Sequence, residues 1–195
     1  TGPQSPALSA TKNGGGQRLQ EFRVVHFYDE GLKHRFVQAT SGNHEVTGRL
    51  MRRMSVQIGL PAADEKIALI DGAPWIRNQI ELHGVVEHIG LDFYHLRDYA
   101  QKTRRVVFGA PPDPKDEAPS EGKQWLGDLM HSFRHEGYDA SWDRLTCWRK
   151  TLRVRAHRAA ANSLMNYVAE RQPLIQYPEF REQDWQIGSG PTEAE

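Results

Sequence analysis

A short apolar run that ends abruptly at an acidic residue constrains this chain more than any other feature. Residues 67–70, Ile-Ala-Leu-Ile, have the length and apolar character of a buried strand. The run is followed by Asp71, Gly72 and Pro74, residue types that stop a strand. In an open α/β sheet, binding sites form just beyond the carboxyl ends of the strands. Asp71 is therefore a candidate metal ligand, although an Asp-Gly pair is also a common turn.

Length and composition indicate one domain of ordinary size with a real core. The chain has 195 residues, of which 26% are charged, and we find no apolar stretch long enough to span a bilayer and no signal-peptide pattern. Basic and acidic residues number 25 each, so the net charge gives no indication of a nucleic-acid partner. The single cysteine, Cys147, excludes an internal disulfide framework. We expect a cytoplasmic protein without a membrane partner.

The two ends of the sequence differ in composition from its middle. Residues 1–20 are predicted to be a flexible lead-in, because residues 1–16 are rich in Gly, Pro, Ser and Thr. Near the other end, Gly-Ser-Gly-Pro at 188–191 is typical of a helix start, with Glu193 just beyond it. Five residues cannot sustain a helix. We therefore expect the sequence to be a fragment or a truncated copy.

Periodicity predicts a hairpin followed by alternating helices and strands. The predicted strands cover 21–28, 33–40, 67–71 and 85–91. The predicted helices run from an Asn43 cap to Gly59, from 73 to 83 and from 96 to 108. Their buried faces are predicted to include Val46, Leu50, Met54, Leu82 and Val106.

A composition change divides the chain. Residues 21–108 form the α/β part, 109–122 a Pro-rich linker, 123–180 a helical section, and 181–195 a return to the α/β part. Within the helical section, one helix is expected around 125–133. A longer one is expected from a Ser141 cap to Pro173, with the apolar stripe Leu145, Trp148, Leu152, Ala156, Ala159, Leu164 and Val168.

The predicted element order resembles the ribonuclease H-like order with its first strand missing. In that fold the first strand is central and carries the first catalytic Asp. Residues 1–20 contain neither Asp nor Glu. The expected fold class is therefore α/β, a ribonuclease H-like core lacking its first strand, with an all-helical insertion before the last catalytic acid.

Three acidic residues lie at the ends of predicted strands or at the start of a predicted helix. Asp71 and Asp92 each end a strand, His95 follows Asp92 by three residues, and Glu193 begins the predicted terminal helix. Such acids suit a two-metal site, in which two divalent ions about 3.5–4 Å apart activate a nucleophile and stabilise the leaving oxygen. Carboxylates suit Mg²⁺, a hard cation that prefers oxygen ligands. Each acid also has a simpler interpretation as a turn or helix-start residue.

Three motifs, 70–76 (IDGAPWI), 91–95 (LDFYH) and 185–193 (WQIGSGPTE), together resemble bacterial insertion-sequence transposases of the DDE type, in particular the Kra-type insertion-sequence family. The resemblance covers nearly everything from Glu21 onward. It implies Mg²⁺ held by three acids, with Asp71 matching the second and Glu193 the third. It gives Asp92 and His95, which match a D-x-x-H pattern, a structural or DNA-positioning role.

The resemblance also implies a function and reveals two departures. The complete enzyme is expected to cleave DNA at the element's ends and join the new 3′-hydroxyl to target DNA, as a homo-oligomer. The first acid has no counterpart in this sequence, and the usual Cys-Lys continuation after the last Glu is absent. We therefore expect the chain alone to bind metal weakly and to catalyse poorly or not at all.

Basic residues indicate where DNA could bind. Arg149, Lys150 and Arg153 are predicted to share the solvent face of the long helix, where they could contact phosphates. Further candidates are Arg52, Arg53, Arg104 and Arg105. Two other functions stay open from the sequence: an inactive remnant that at most binds DNA, and a ribonuclease H-like nuclease that cleaves without joining.

Overall fold

Strands and helices alternate in the first part of the chain, and only helices are seen in the second. The computed structural model describes residues 21–109 and 120–189. The strands are β1 (Arg23–Tyr28), β2 (Arg35–Thr40), β3 (Ile67–Ile70) and β4 (His88–Leu91). The helices are α1 (His44–Gln57), α2 (Pro74–His83), α3 (Phe93–Phe108), α4 (Ser120–His135), α5 (Gly137–Thr151), α6 (Arg155–Glu170) and α7 (Tyr177–Glu182). Short 3₁₀ turns lie at Leu60–Ala62 and Gln172–Leu174.

The described strands form two separate pairs. β1 and β2 make the antiparallel hairpin that the sequence predicts, with Arg23 opposite Thr40. β3 and β4 are parallel, and α2 connects them. Within residues 21–109 and 120–189, no backbone ladder joins one pair to the other. The chain is thus a mixed α/β protein with small sheets.

Local signals in the sequence fix the ends of the early helices. Asn43 precedes α1, and its side chain accepts a hydrogen bond of 3.0 Å from the Val46 amide, as an N-cap does. Gly59 follows α1 with a φ of 74°, a left-handed conformation that glycine adopts without steric cost. α2 begins at Pro74, and Gly84, with a φ of 58°, ends it.

One connected hydrophobic cluster joins the α/β part to the helices. α3 packs against α4 and α6, α4 packs against α5 and α7, and α1 packs against α2 and β1. The side chains with no exposed area include Leu91 and Leu96 in the α/β part and Phe133, Leu164 and Val168 in the helical part. The core therefore sits between β4, α3 and the helices that follow.

The long helix predicted from Ser141 to Pro173 is wrong, because two helices occupy this stretch. α5 ends at Thr151, and Leu152 and Val154 adopt extended backbone angles before α6 begins. The Thr151 hydroxyl donates a 2.7 Å hydrogen bond to the Trp148 carbonyl, a local bond that competes with the helical ladder. The break contains neither Gly nor Pro, the residue types that usually mark a helix end.

Several predicted positions on these two helices are also wrong. Ser141 is not a cap: it is buried inside α5, and its hydroxyl donates to the Gly137 carbonyl. Ala156 and Ala159 are exposed, whereas Leu145, Leu164 and Val168 are buried as predicted. Because α6 is a separate helix, its first residues need not continue the apolar stripe of α5.

Other boundaries and faces differ from the predictions. β4 begins at His88 rather than Val85, and α3 begins at Phe93 rather than Leu96. Leu82 is 72% exposed and Val106 is 50% exposed, so neither belongs to the core. Val46 is also partly exposed, while Leu50 and Met54 are buried as predicted. Apolar periodicity finds the face of a helix but not which of its apolar residues meets a partner.

Two predicted segments fall wholly or largely outside the described residues. The lead-in at 1–20 lies outside them, and so does the linker except for Gly109 and residues 120–122. α4 already begins at Ser120, so those last linker positions are helical. None of the helices in the described part of the chain combines the length and apolar character that a membrane crossing requires.

Truncation of a fully buried leucine tests the connection between the two parts. Leu96 has no exposed area and lies in the shared cluster. We predict that Leu96→Ala lowers the free energy of unfolding by about 2–5 kcal/mol, because it leaves a cavity. The matched control Leu82→Ala should change it by about 0.5 kcal/mol or less, since the side chain is exposed. Urea denaturation measures both, and equal losses would contradict this packing.

Candidate functional site

Two of the predicted site residues meet at the carboxyl end of the parallel strand pair. Ile70 and Leu91 are register partners, so Asp71 and Asp92 follow neighbouring strands at the same edge. The Asp92 amide donates a 2.8 Å hydrogen bond to the Ile70 carbonyl. The strand order therefore brings the first two motifs together, at the kind of edge where α/β proteins form sites.

Asp71 lies at the surface in a tight turn. Its Oδ1 atom accepts a 2.7 Å hydrogen bond from the Ala73 amide, which is the turn role that an Asp-Gly pair often has. Gly72 adopts a φ of 85°, and α2 begins two residues later. No described residue donates a hydrogen bond to the other carboxylate oxygen, Oδ2. Asp71 therefore combines a turn role with one carboxylate oxygen available to a ligand.

Asp92 is buried, and both of its carboxylate oxygens accept backbone hydrogen bonds. It is 1% exposed and caps α3, where Oδ1 accepts from the amides of Tyr94 at 2.7 Å and His95 at 3.3 Å. Oδ2 accepts from the Ser189 amide at 2.7 Å. A buried carboxylate with these partners positions the backbone on both sides of it.

The third motif runs alongside β4. The Trp185 ring lies 4.6 Å from the His88 ring at the start of that strand, and its indole nitrogen donates to Glu65. The Ile187 carbonyl then accepts a 2.9 Å hydrogen bond from the Phe93 amide, just past the strand's end. Glu193 itself lies outside the described residues, four positions after Ser189.

Asp71 and His95 line one surface cleft of about 480 Å³. Its walls come from the turn after β3, the exposed side of α3 and the end of α6. The cleft combines acidic, basic and aromatic side chains, and its other lining residues are Ala73, Asp98, Tyr99, Gln101, Lys102, Arg105, Tyr167 and Arg171. Asp92 is not among them, because its carboxylate points into the protein and not into the cleft.

A stack of side chains forms one wall of this cleft. The rings of Tyr99 and Tyr167 lie 4.0 Å apart and are inclined by 13°. Arg171 covers the Tyr167 ring at 4.0 Å, and the Lys102 ammonium lies 5.3 Å from the centre of the Tyr99 ring. Cations over aromatic faces are attracted by the ring quadrupole, so the stack fixes two positive charges beside the cleft.

Tyr167 links this wall to the Asp71 turn. Its hydroxyl donates a 3.4 Å hydrogen bond to the Asp71 carbonyl. Burial raises the pKa of that hydroxyl to about 12, a shift that the nearby Arg171 charge opposes and the Asp71 charge supports. Tyr167 is therefore a neutral donor at physiological pH and ties α6 to the end of β3.

The predicted DNA-binding residues lie on another part of the structure. Arg149 is in the last turn of α5, and its Nε atom donates a 2.7 Å hydrogen bond to Asn162 of α6. Lys150 is exposed in the same turn, and Arg153 is exposed in the segment between the helices. The prediction that they share one helix face is wrong, because the helix ends at Thr151.

The other basic candidates for DNA binding differ in how exposed their side chains are. Arg52, Arg53 and Arg105 are exposed, and Arg53 contacts Gln38 at 3.4 Å. Arg104 is 2% exposed, and its Nε atom donates to Gln101. Arg104 is therefore part of the interior and does not present its charge to DNA.

Six lining residues of the cleft were not predicted as site residues: Asp98, Tyr99, Gln101, Lys102, Tyr167 and Arg171. None belongs to the three motifs, and the two tyrosines are 68 positions apart in the sequence. The only usable signal was that α3 is amphipathic, which predicts its buried side but not which helix packs there.

The described residues offer a metal ion only part of a complete set of ligands. No group of three or more His, Cys, Asp or Glu side chains is arranged around a common point in residues 21–109 and 120–189. Mg²⁺ is nevertheless often bound by one or two carboxylates together with substrate phosphates and water. The exposed Asp71 carboxylate, with its available Oδ2, fits that arrangement as one ligand.

Comparisons of this chain with protein-family models, with curated proteins and with solved structures found no match.

Removal of the Asp92 carboxylate tests its positioning role. We predict that Asp92→Ala lowers the free energy of unfolding by about 2–4 kcal/mol, because it removes a helix cap and leaves three partly buried amides without their acceptor. It should also speed hydrogen exchange at the Ser189 amide, which Asp92 binds.

The control for this variant is Asp98→Ala, an exposed acid on the same helix. Its effect on the free energy of unfolding should be about 0.5 kcal/mol or less. Equal effects of the two variants, or an unchanged exchange rate at Ser189, would rule out the positioning role.

Proposed function

We propose that this chain belongs to the catalytic core of a DDE-type DNA transposase of the Kra-type insertion-sequence family. The observation that supports the proposal is the meeting of three motifs at one edge of β3 and β4. Asp71 and Asp92 follow the two strands, and the segment that leads to Glu193 is bound to Asp92 through Ser189. Motifs far apart in sequence have no local reason to converge in this way.

The two separate strand pairs are compatible with the proposed core. In a ribonuclease H-like sheet whose central strand is missing, the hairpin and the parallel pair share no hydrogen bonds. The described strands have that arrangement. The ribonuclease H-like identity of the core, with α4 to α7 as its helical insertion, is part of the proposal.

In this proposal Asp71 and Glu193 would hold Mg²⁺. When bound there, Mg²⁺ would supply neutralisation of charge on the phosphate oxygens and activation of the attacking oxygen. Tyr167 holds the Asp71 backbone in place through its hydroxyl, and the Gly72 turn fixes the direction of the carboxylate. The reaction is phosphoryl transfer, in which DNA at the element's ends is cleaved and joined to target DNA.

Asp92 and His95 have supporting roles in the proposed reaction. Asp92 holds the start of α3 and the Ser189 amide, four positions before Glu193 in the sequence. His95 lies in the cleft beside Asp71, where it can hydrogen-bond DNA. We further predict that the protein binds DNA, assembles into a homo-oligomer and is located in the cytoplasm.

A second candidate function is that of a DNA-binding remnant without catalysis. It is favoured by the turn at Asp71, where Oδ1 accepts the Ala73 amide, because this gives the carboxylate a structural role that needs no metal. The sequence also has no counterpart of the first acid. A remnant would bind DNA but give no Mg²⁺-dependent cleavage, even with a complete set of flanking sequence.

Substitution of Asp71 tests the catalytic assignment. In the complete enzyme, we predict that Asp71→Ala abolishes Mg²⁺-dependent DNA cleavage and leaves DNA affinity nearly unchanged, because it removes a metal ligand and not a DNA contact. The matched control Asp64→Asn removes one exposed carboxylate from the segment before β3 and should retain cleavage. Gel assays measure cleavage and strand transfer. Full cleavage by Asp71→Ala would show that Asp71 is not a catalytic metal ligand.

Substitution of Arg153 tests whether the predicted DNA-binding residues near the end of α5 contact phosphate. Each protein cation that neutralises a phosphate contributes about 0.9 to the slope of log affinity against log salt concentration. Arg153→Ala should lower that slope by about one contact. Arg77→Ala, which removes an exposed cation that pairs with Glu81 on α2, is the control. Identical slopes for the two variants would show that Arg153 does not contact phosphate.

A further inference from the structure

The cations beside Asp71 form a group that the proposed function leaves without a role. Lys102 and Arg105 lie on α3, and Arg171 lies where α6 ends. All three line the cleft that contains Asp71 and His95. They belong to different elements and none is in the three motifs, so the fold alone brings them together.

Arg171 is held firmly against the Asp71 turn. Its side chain is only 16% exposed, and its Nη1 atom donates to the Tyr167 carbonyl at 3.2 Å and to Glu170 at 3.1 Å. A Cβ atom on Gly72 would overlap the Arg171 Nε atom, so the glycine permits this close approach. Nε is buried and has no partner among the described residues.

Lys102 and Arg105 are exposed, one turn apart on α3. No ion pair within 4 Å joins either of them to an acid in the described part of the chain. The Tyr99 ring beneath Lys102 limits where its ammonium group can lie. The positive charges of Lys102 and Arg105 are thus not paired within 4 Å by any carboxylate of residues 21–109 and 120–189.

The side of the cleft formed by Lys102 and Arg105 carries positive charge that suits a phosphate. Its lining carries the cations Lys102, Arg105 and Arg171, of which Arg171 is paired with Glu170, and the two carboxylates Asp71 and Asp98. A phosphodiester offers oxygens that Lys and Arg bind well, through point charge and planar hydrogen bonds respectively. A phosphate held here would lie beside Asp71, where the proposed reaction needs it.

We propose that Lys102, Arg105 and Arg171 bind the phosphodiester backbone of a DNA strand alongside Asp71. The proposal rests on the proposed function for the identity of the ligand and extends it to the residues that position the strand. The stack of Arg171, Tyr167, Tyr99 and Lys102 sets the spacing of the cations. DNA would therefore pass between α3 and the end of α6.

Salt-dependent binding tests the exposed cations. The 195-residue chain is titrated with a fluorescently labelled single-stranded DNA oligonucleotide of mixed sequence, with a chelator present so that no metal contributes. Lys102→Gln and Arg105→Gln should each lower the slope of log affinity against log salt by about 0.7, the value for one single-strand phosphate contact. Arg97→Gln, on the same helix but outside the cleft, should leave it unchanged.

A matched pair of variants tests Arg171. Arg171→Lys and Arg171→Gln both remove the guanidinium group that packs against Gly72, but only the lysine keeps the charge. Arg171→Lys should retain most of the DNA affinity, and Arg171→Gln should lose it with the salt slope reduced. Identical behaviour of the two variants would show that packing, and not phosphate binding, explains this residue.

A footprint on the unaltered chain does not depend on how variants fold. DNA should reduce the acetylation of Lys102 and leave that of the exposed hairpin residue Lys33 unchanged, as read by mass spectrometry. Equal acetylation of Lys102 with and without DNA would overturn the proposal.

The footprint also separates the phosphate site from the proposed function. If Asp71→Ala leaves cleavage intact in the complete enzyme while DNA still protects Lys102, the metal assignment fails and the phosphate site stands. If Asp71→Ala abolishes cleavage but DNA leaves Lys102 unprotected, the phosphate site fails and the metal assignment stands.

Discussion

A buried carboxylate joins three segments of this chain that are distant in sequence. Asp92 follows β4, caps α3 through two amides, and binds the Ser189 amide 97 positions later. A buried acid is costly unless its oxygens are hydrogen-bonded, and here backbone donors supply those bonds. Asp92 therefore helps to position the last segment relative to β3 and β4, together with the hydrogen bond from the Phe93 amide to the Ile187 carbonyl.

The Asp71 cleft depends on a second set of contacts, between the α/β part and the last long helix. Tyr167 binds the Asp71 carbonyl, Arg171 packs on Gly72, and Tyr167 stacks on Tyr99 of α3. The helical section is thus a wall of the cleft, and not only an insertion between motifs. This geometry places an acid and several cations side by side in the cleft, as the proposed phosphoryl transfer would use them.

Local chemistry made some features predictable and left others hidden. Asn43 and Gly59 correctly marked the two ends of α1, because caps and left-handed turns depend on a few neighbouring residues. The break after Thr151 was missed because no Gly or Pro marks it, and Leu145 and Leu164 stay buried on either side. Arg171 was missed because its role comes only from tertiary packing against the Asp71 turn.

Binding of Mn²⁺, a paramagnetic substitute for Mg²⁺, is the most direct test of the metal site at Asp71. In the isotope-labelled chain, we predict that small additions of Mn²⁺ broaden the amide signals of residues 71–73 and of His95, which line or adjoin the cleft. Asp71→Asn should abolish this broadening, because it removes the carboxylate charge and keeps the shape. Broadening that is the same in both proteins, or confined to other residues, would contradict a metal site at Asp71.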